Sequence, residues 1–329
     1  MMEKLVAQFT KHISDAAEIA QNSDFSRLSS KKFSQVVICG MGGSGIGGDL
    51  VAKWFSQEAK TPILTVKDYN IPGFIDENTL VIGSSYSGNT EETMTAIRQA
   101  AARKATIVGV CSGGELHKFC KENNYEHVLV PGGNPPRSML AFSLIQLVNI
   151  LTQANIISAG KLERIEKSKS IINKELISIK EQARKLADLV LGHQLVTYTS
   201  TEMEAVAVRC RQQMNENAKI LNWHHVLPEM NHNELVGWGN ADDHYAVLFL
   251  GSKFLSKRKK ARFELSREIM SKKTPNIMYI EPVGESIIEE TIYLIHLVDW
   301  ASLYVAQSIN QDPVEVNVID YLKVELAKT

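Results

Sequence analysis

From residue 36 to residue 150 the chain alternates short apolar runs with stretches of helical period. The runs are VVICG (36–40), ILTV (63–66), TLVIGSS (79–85), TIVGVC (106–111) and HVLVPG (127–132). Each is short, continuous and rich in β-branched residues, as strands covered on both faces should be. Helix-length segments separate the first run from the second and the third from the fourth, which predicts a parallel sheet wrapped by helices. Residues 160–190 are charged, periodic and strand-free, and predict a connecting helix. A weaker pattern of the same kind follows in QLVTYTS (194–200), AVLFLG (246–251) and NIMYI (276–280), closed by a long apolar helix at 287–309. The expected fold class is α/β with two units, residues 1–155 and residues 156–329 including the connector.

Three further stretches are ambiguous by hydropathy alone. Residues 1–20 place Leu5, Phe9, Ile13, Ala16 and Ile19 or Ala20 on one helical face. Glu3, Lys4, Lys11 and Asp15 break the apolar run that a signal peptide needs, so a cytoplasmic location is expected. Residues 138–159 carry no charge and could be taken for a membrane span. Yet Ser143, Gln146, Asn149 and Gln153 recur every three to four residues, and lipid would leave their polar groups unpaired. A helix buried between domains or subunits is the better expectation. The apolar stretch 287–306 is interrupted by Glu289, Glu290, His296 and Asp299, and reads as a core helix.

Composition narrows the function. The chain has 329 residues, 44% hydrophobic and 22% charged, with a formal net charge of −1. That length is consistent with about two domains at roughly 150 residues each. A near-neutral chain lacks the basic face of a dedicated nucleic-acid binder, and it is too apolar for disorder. Cys39, Cys111, Cys120 and Cys210 fall at no CxxC spacing, which argues against a disulfide framework or a thiolate zinc site. His224, His225, His232 and His244, with Glu229 and Glu234, lack any HxxxH or HExxH pair, so no metal is expected. The basic run Lys257 to Arg262 reads as the solvated face of a helix.

Two glycine- and hydroxyl-rich turns carry the chemistry. After the first strand comes Gly40-Met41-Gly42-Gly43-Ser44-Gly45. Gly40, Gly42 and Gly45 satisfy G-x-G-x-x-G, the dinucleotide fingerprint, but Asp68 follows later than the acidic residue that motif requires, about 20 residues on. Ser44 adds a hydroxyl donor and favours a phosphate. After the third strand comes Gly83-Ser84-Ser85-Tyr86-Ser87-Gly88-Asn89-Thr90-Glu91-Glu92, leading into an amphipathic helix. Small hydroxyls and free backbone N–H groups at a helix start make a phosphate cradle. A helix N-cap with a capping-box glutamate is the bland alternative, but a cap needs a single hydroxyl.

GMGGSGIGGDL and SSYSGNTEET, in this order on successive expected strands, resemble a sugar isomerase (SIS) domain. Further matches resemble the bifunctional phosphoglucose/phosphomannose isomerase family: Pro136-Arg137, Asn215-Glu216-Asn217-Ala218-Lys219, the stretch from Pro228 to Glu234, and the ending Asp312-Pro313 … Leu322-Lys323. The resemblance implies two SIS-type domains, each a doubly wound, flavodoxin-like parallel sheet flanked by helices, and a dimer without metal or other cofactor. It implies that Gly43, Ser44, Ser85, Ser87 and Thr90 hold the substrate phosphate. Glu216 matches the catalytic base, His232 a ring-opening histidine supplied by the partner subunit, Lys323 a lysine of ring opening, and Arg137 the arginine that steadies the enediolate. The activity implied interconverts glucose 6-phosphate and fructose 6-phosphate, with mannose 6-phosphate as a second aldose. In the 312–317 segment, where dual-specificity relatives are expected to carry a small hydroxyl residue, this chain has Val314 and Val316. A non-catalytic phosphosugar sensor and a dinucleotide-dependent oxidoreductase are the competing readings.

Overall fold

The computed structural model describes residues 1–328. The expected N-terminal helix is two helices, α1 (Met2–Ala7) and α2 (Phe9–Gln21), with a break at Gln8. Leu5, Phe9, Ile13, Ala16 and Ala20 are all buried, so the periodic face is the packed one. The first unit then runs β1 (Gln35–Cys39), α3 (Gly42–Phe55), β2 (Ile63–Val66), β3 (Thr79–Ser84), α4 (Glu91–Ala102), β4 (Thr106–Cys111), α5 (Gly114–Glu122) and β5 (Glu126–Leu129). Its strands form a parallel sheet in the order β2-β1-β3-β4-β5, with Val36 beside Ile63 and Leu80. That is the flavodoxin-like arrangement.

Two helices lead into the second unit, α6 (Leu140–Gln153) and α7 (Lys161–Val190). The second unit comprises β6 (Gln194–Ser200), α8 (Glu204–Ala218), β7 (Trp223–Leu227), α9 (Glu234–Gly237), β8 (Tyr245–Leu250), α10 (Lys257–Ser271), β9 (Ile277–Ile280), α11 (Ile287–Ser308) and α12 (Asn317–Leu326). Its parallel sheet has the order β7-β6-β8-β9, the same winding with one strand fewer. Strand β7 is absent from the apolar pattern because Trp-His-His-Val-Leu forms a half-exposed edge.

A single hydrophobic core runs from the inner face of the first sheet (Val36, Ile38, Leu80, Ile82) through the helices to the inner face of the second (Leu195, Leu248, Leu250). Smaller clusters beneath α4 and α5 and beneath α10 cover the outer faces. The layers are therefore α, β, α, β, α, and both sheets share the middle helical layer. Helix α11 lies within it against α7 and α8, with its charged residues Glu289, Glu290 and Asp299 buried too.

The uncharged stretch at 138–159 forms α6, also in this layer. Its polar stripe has a specific use. Gln146 Nε2 donates to the Ala16 carbonyl at 2.8 Å, Asn149 Nδ2 to Ala20 at 3.0 Å, and Gln153 Nε2 to Ser23 at 2.9 Å. The Ala20 and Ser23 carbonyls lie at and beyond the C-terminal end of α2, where the helix runs out of internal donors, and Ala16 lies one turn earlier. Among the described residues no helix is long and apolar enough to cross a membrane.

His296 of α11 is 1% exposed and stacks on Phe9 with ring centres 5.5 Å apart. Its Nε2 accepts the Trp300 indole N–H at 3.1 Å, while Nδ1 is buried without a partner. Burial brings its pKa from 6.5 down to about 3. The unfolded chain takes up a proton below pH 6.5 that the folded one refuses until about pH 3, so stability falls as pH drops through this window. The slope from one such proton is at most about 1.4 kcal/mol per pH unit. In urea unfolding between about pH 7 and pH 5, His296→Phe is expected to lose less stability than the parent. Equal losses would contradict this assignment.

Candidate active site

In a doubly wound sheet a crevice opens where the strand order reverses, which here is between β1 and β3. The two hydroxyl-rich turns meet there. Ser44 sits in the first turn of α3, where its Oγ accepts the Tyr86 N–H at 2.9 Å and its carbonyl accepts Ser84 Oγ at 3.1 Å. Thr90 stands at the N-cap of α4 but makes no side-chain capping bond. It shares a 2.8 Å hydrogen bond with Ser85 Oγ instead. Ser87 is exposed and accepts the Asn89 N–H at 3.2 Å. Capping does not account for these hydroxyls, and they border a helix start whose first N–H groups have no partner within the helix.

The glycine fingerprint is explained by packing. A Cβ on Gly45 would lie 2.5 Å from the Gly40 carbonyl oxygen, so the residue lets α3 start tight against β1. Gly43 has a second neighbour: a Cβ there would lie 3.1 Å from the backbone nitrogen of Arg137. The cradle is thereby set against the 3-10 turn Pro136–Ser138.

Arg137 is 4% exposed, yet every nitrogen of its guanidinium has an acceptor. Nε donates to Asn217 Oδ1 at 2.8 Å and Nη1 to Glu216 Oε2 at 3.2 Å. Nη2 donates to the carbonyls of Pro313 and, at 3.1 Å, Val314. Burial pushes its pKa down, and the Glu216 carboxylate opposes this. Glu216, in the last turn of α8, keeps 27% of its side chain exposed, so one carboxylate edge is open to a ligand. Lys219 follows in a left-handed conformation (φ 58°), and its Nζ donates to the carbonyls of Glu216 at 2.7 Å, Asp312 at 2.8 Å and Glu315 at 2.7 Å. Arg137 and Lys219 together hold the carbonyls of Asp312, Pro313, Val314 and Glu315 as a strap over the end of α8.

Ser44, Ser85, Thr90, Gly43, Arg137 and Glu216 thus form one connected cluster spanning both units. His232 and Lys323 do not join it. His232 is exposed at the end of the 3-10 turn Glu229–His232, and no hydrogen bond or ion pair among the described residues links it to Arg137 or Glu216. Lys323 lies on α12 with 72% of its side chain exposed, 3.8 Å from Asp320. Asn217 and the strap carbonyls are contributors that residue-type reasoning passed over. Asn217 stands in the same motif as Glu216, and that adjacency was the available signal.

The strand order of the second sheet reverses between β6 and β8, and buried or paired carboxyl groups follow at the ends of these strands. Glu290, fully buried, accepts Ser252 Oγ and the Lys253 N–H at 3.1 Å, while Glu202 pairs with Lys259. Among the described residues no group of three or more His, Cys, Asp or Glu could hold a metal ion.

Residues 28–126 match the SIS domain, and residues 179–326 match the bacterial phospho-glucose isomerase C-terminal SIS domain. The bifunctional phosphoglucose/phosphomannose isomerase of Aquifex aeolicus is 33% identical, over 89% of this chain and 90% of that protein. The enzyme of the same name from Caldicellulosiruptor bescii is 31% identical over 99% of both. The C-terminal domain of glucosamine-fructose-6-phosphate aminotransferase from Francisella tularensis shares the fold: its TM-score is 0.73 at 13% identity, covering 95% of this chain and 98% of that one. With a connected cluster at the switch point of the first sheet and relatives at this level of identity across its length, the chain belongs to the bifunctional phosphoglucose/phosphomannose isomerase family.

Proposed function

We propose that the protein interconverts glucose 6-phosphate and fructose 6-phosphate, and also takes mannose 6-phosphate, by proton transfer through an enediolate. The observation that carries this reading is the Glu216–Arg137 pair, with the backbone of Arg137 packed against Gly43 of the glycine- and hydroxyl-rich turn. A carboxylate base and a cation near the reacting carbons, with an anchor for the phosphate, are what the reaction needs. The names of the relatives support the same substrates.

In this reading the phosphate sits on Ser44, Ser85, Ser87 and Thr90, beside Gly43 and the N-terminus of α4. Glu216 takes the proton from C2 of the open-chain aldose. The C–H electron pair forms the C1–C2 double bond and the carbonyl π pair moves onto O1. The Nη1 donor of Arg137, beside Glu216, faces that developing charge. Glu216 then returns its proton to C1, a proton passes from O2 to O1, and C2 becomes the ketose carbonyl. Rotation about C1–C2 exposes the other face of the enediolate and leads to mannose 6-phosphate. Val314 borders this region, since its carbonyl holds Arg137 and its side chain packs against the core.

Ring opening requires proton exchange, and exposed His232 serves it from the partner subunit of a homodimer, with Lys323 assisting. The exposure of α12 supports assembly: none of its residues is buried, and Val318, Tyr321, Leu322 and Val324 are each more than half exposed. Each half thus has a defined task. Residues 1–155 hold the phosphate, and residues 156–329 supply Glu216, His232 and Lys323. The enzyme acts in the cytoplasm on a soluble sugar phosphate.

A coupled assay with each hexose phosphate tests the reading. Glu216→Gln is expected to lower kcat by about 100-fold or more with a smaller change in KM. No turnover by the parent, or full turnover by the variant, would refute it. A mixing experiment tests the shared site. Glu216→Gln and His232→Ala are each expected to be inactive, but dissociated and reassociated together they should recover about a quarter of parental activity, because half the dimers hold one intact site. No recovery would assign His232 to its own subunit.

A further inference from the structure

Arg209 and Asp299 form an ion pair beneath the site, outside every group assigned above, with 2% and 5% of their side chains exposed. The guanidinium meets the carboxylate in a fork, Nε to Oδ1 at 2.9 Å and Nη2 to Oδ2 at 2.6 Å. Nη2 also donates to a different acceptor, the main-chain carbonyl of Arg137, at 2.9 Å. From there a closed circuit can be followed. Asp299 lies on α11, and its carbonyl accepts Ser302 Oγ at 2.8 Å. Ser302 Oγ accepts Asn217 Nδ2 at 2.9 Å, and Asn217 Oδ1 accepts Arg137 Nε at 2.8 Å. Gln213 Nε2 adds a further bond to Asp299 Oδ1 at 2.8 Å.

Arg209, Gln213 and Asn217 lie on one face of α8, one turn apart in succession. That face holds Arg137 at both ends: its carbonyl through Arg209 and its guanidinium through Asn217. A buried ion pair is a weak source of stability, since apolar residues of similar volume are often as stable or more so. A planar five-donor group does offer something they lack, because it can fix a carbonyl and a carboxylate at once.

We infer that Arg209 is a positioning residue for the isomerisation. With Asp299 it fixes the backbone of residue 137 relative to α8, and so sets the distance from the phosphate cradle, through Gly43, to Glu216. The inference rests on the isomerase reading above for its kinetic effect, and on geometry alone for its structural one.

Arg209→Lys keeps the charge opposite Asp299 but lacks the fork. The double variant Arg209→Met, Asp299→Leu removes the pair without leaving a buried charge. In both, kcat for fructose 6-phosphate is expected to fall, by up to about 100-fold for a displacement on the order of 1 Å, with a lesser change in KM. The melting temperature of the double variant should stay within a few degrees of the parent's. A crystal structure of the double variant is the second readout, and it is independent of turnover: Arg137 should leave its bonds to Asn217 or Glu216. Parental kcat in the double variant, a loss of kcat that only follows a loss of folded protein, or an unmoved Arg137 would overturn the inference. If the parent itself turns over no hexose phosphate, the isomerase reading fails, and the position of Arg137 in the double variant still decides the structural claim.

Discussion

Placing the guanidinium of Arg137 out of water imposes the strongest single demand on this structure. The group remains charged at any physiological pH, and each donor that loses water needs an acceptor. Four are supplied, by Asn217, Glu216, Pro313 and Val314, from a helix of the second unit and from the strap ahead of α12. The residue itself sits on a turn that packs against the first turn of α3. Satisfying one buried cation therefore draws together the glycine- and hydroxyl-rich turn at α3, the end of α8 and the C-terminal strap. Removing one partner from a buried charged pair costs about 3–5 kcal/mol, so these segments are not free to drift apart.

The shared helical layer makes that demand affordable. Because α3, α6, α8 and α11 belong to one continuous core, the two sheets cannot shift relative to each other without opening it. The sheets repeat the same winding but differ at their crevices. The first presents hydroxyls, glycines and helix N–H groups, and the second closes over Glu290 and Glu202. In the proposed reading an anionic substrate would be met by local dipoles and hydroxyls, which suits a chain whose net charge is only −1.

Much of this was legible in the chain. Strands β3, β4 and β6 coincide with continuous apolar runs because both faces are covered, whereas β2 is an apolar run on a sheet edge, with Leu64 exposed. The edge strand β7 was not legible, since Trp223 is exposed, the next three residues are only partly covered, and its two histidines break the run. The polar stripe of α6 marked a buried helix, but its partners, the carbonyls near the end of α2, lie over a hundred residues away and leave no local pattern. The same holds for the site. Ser85, Thr90 and Ser44 stand out by composition and spacing. Arg209 carries no local signal, and Asp299 marks only a charge within a core helix, because only the packing of α8 on α11 brings the two together. Glu216 and Arg137 were singled out by resemblance and are joined in space, while His232 and Lys323 remain exposed and apart from them within one chain.

The account stands on one geometric statement: the hydroxyl cradle of the first unit and Glu216 of the second act on the same sugar. A crystal structure of the protein with bound fructose 6-phosphate addresses it directly. The phosphate is expected on Ser44, Ser85 and Thr90, with a Glu216 carboxylate oxygen within about 3.5 Å of both C1 and C2. A sugar phosphate bound elsewhere, or one seated in the cradle with C1 and C2 turned away from Glu216, would contradict it.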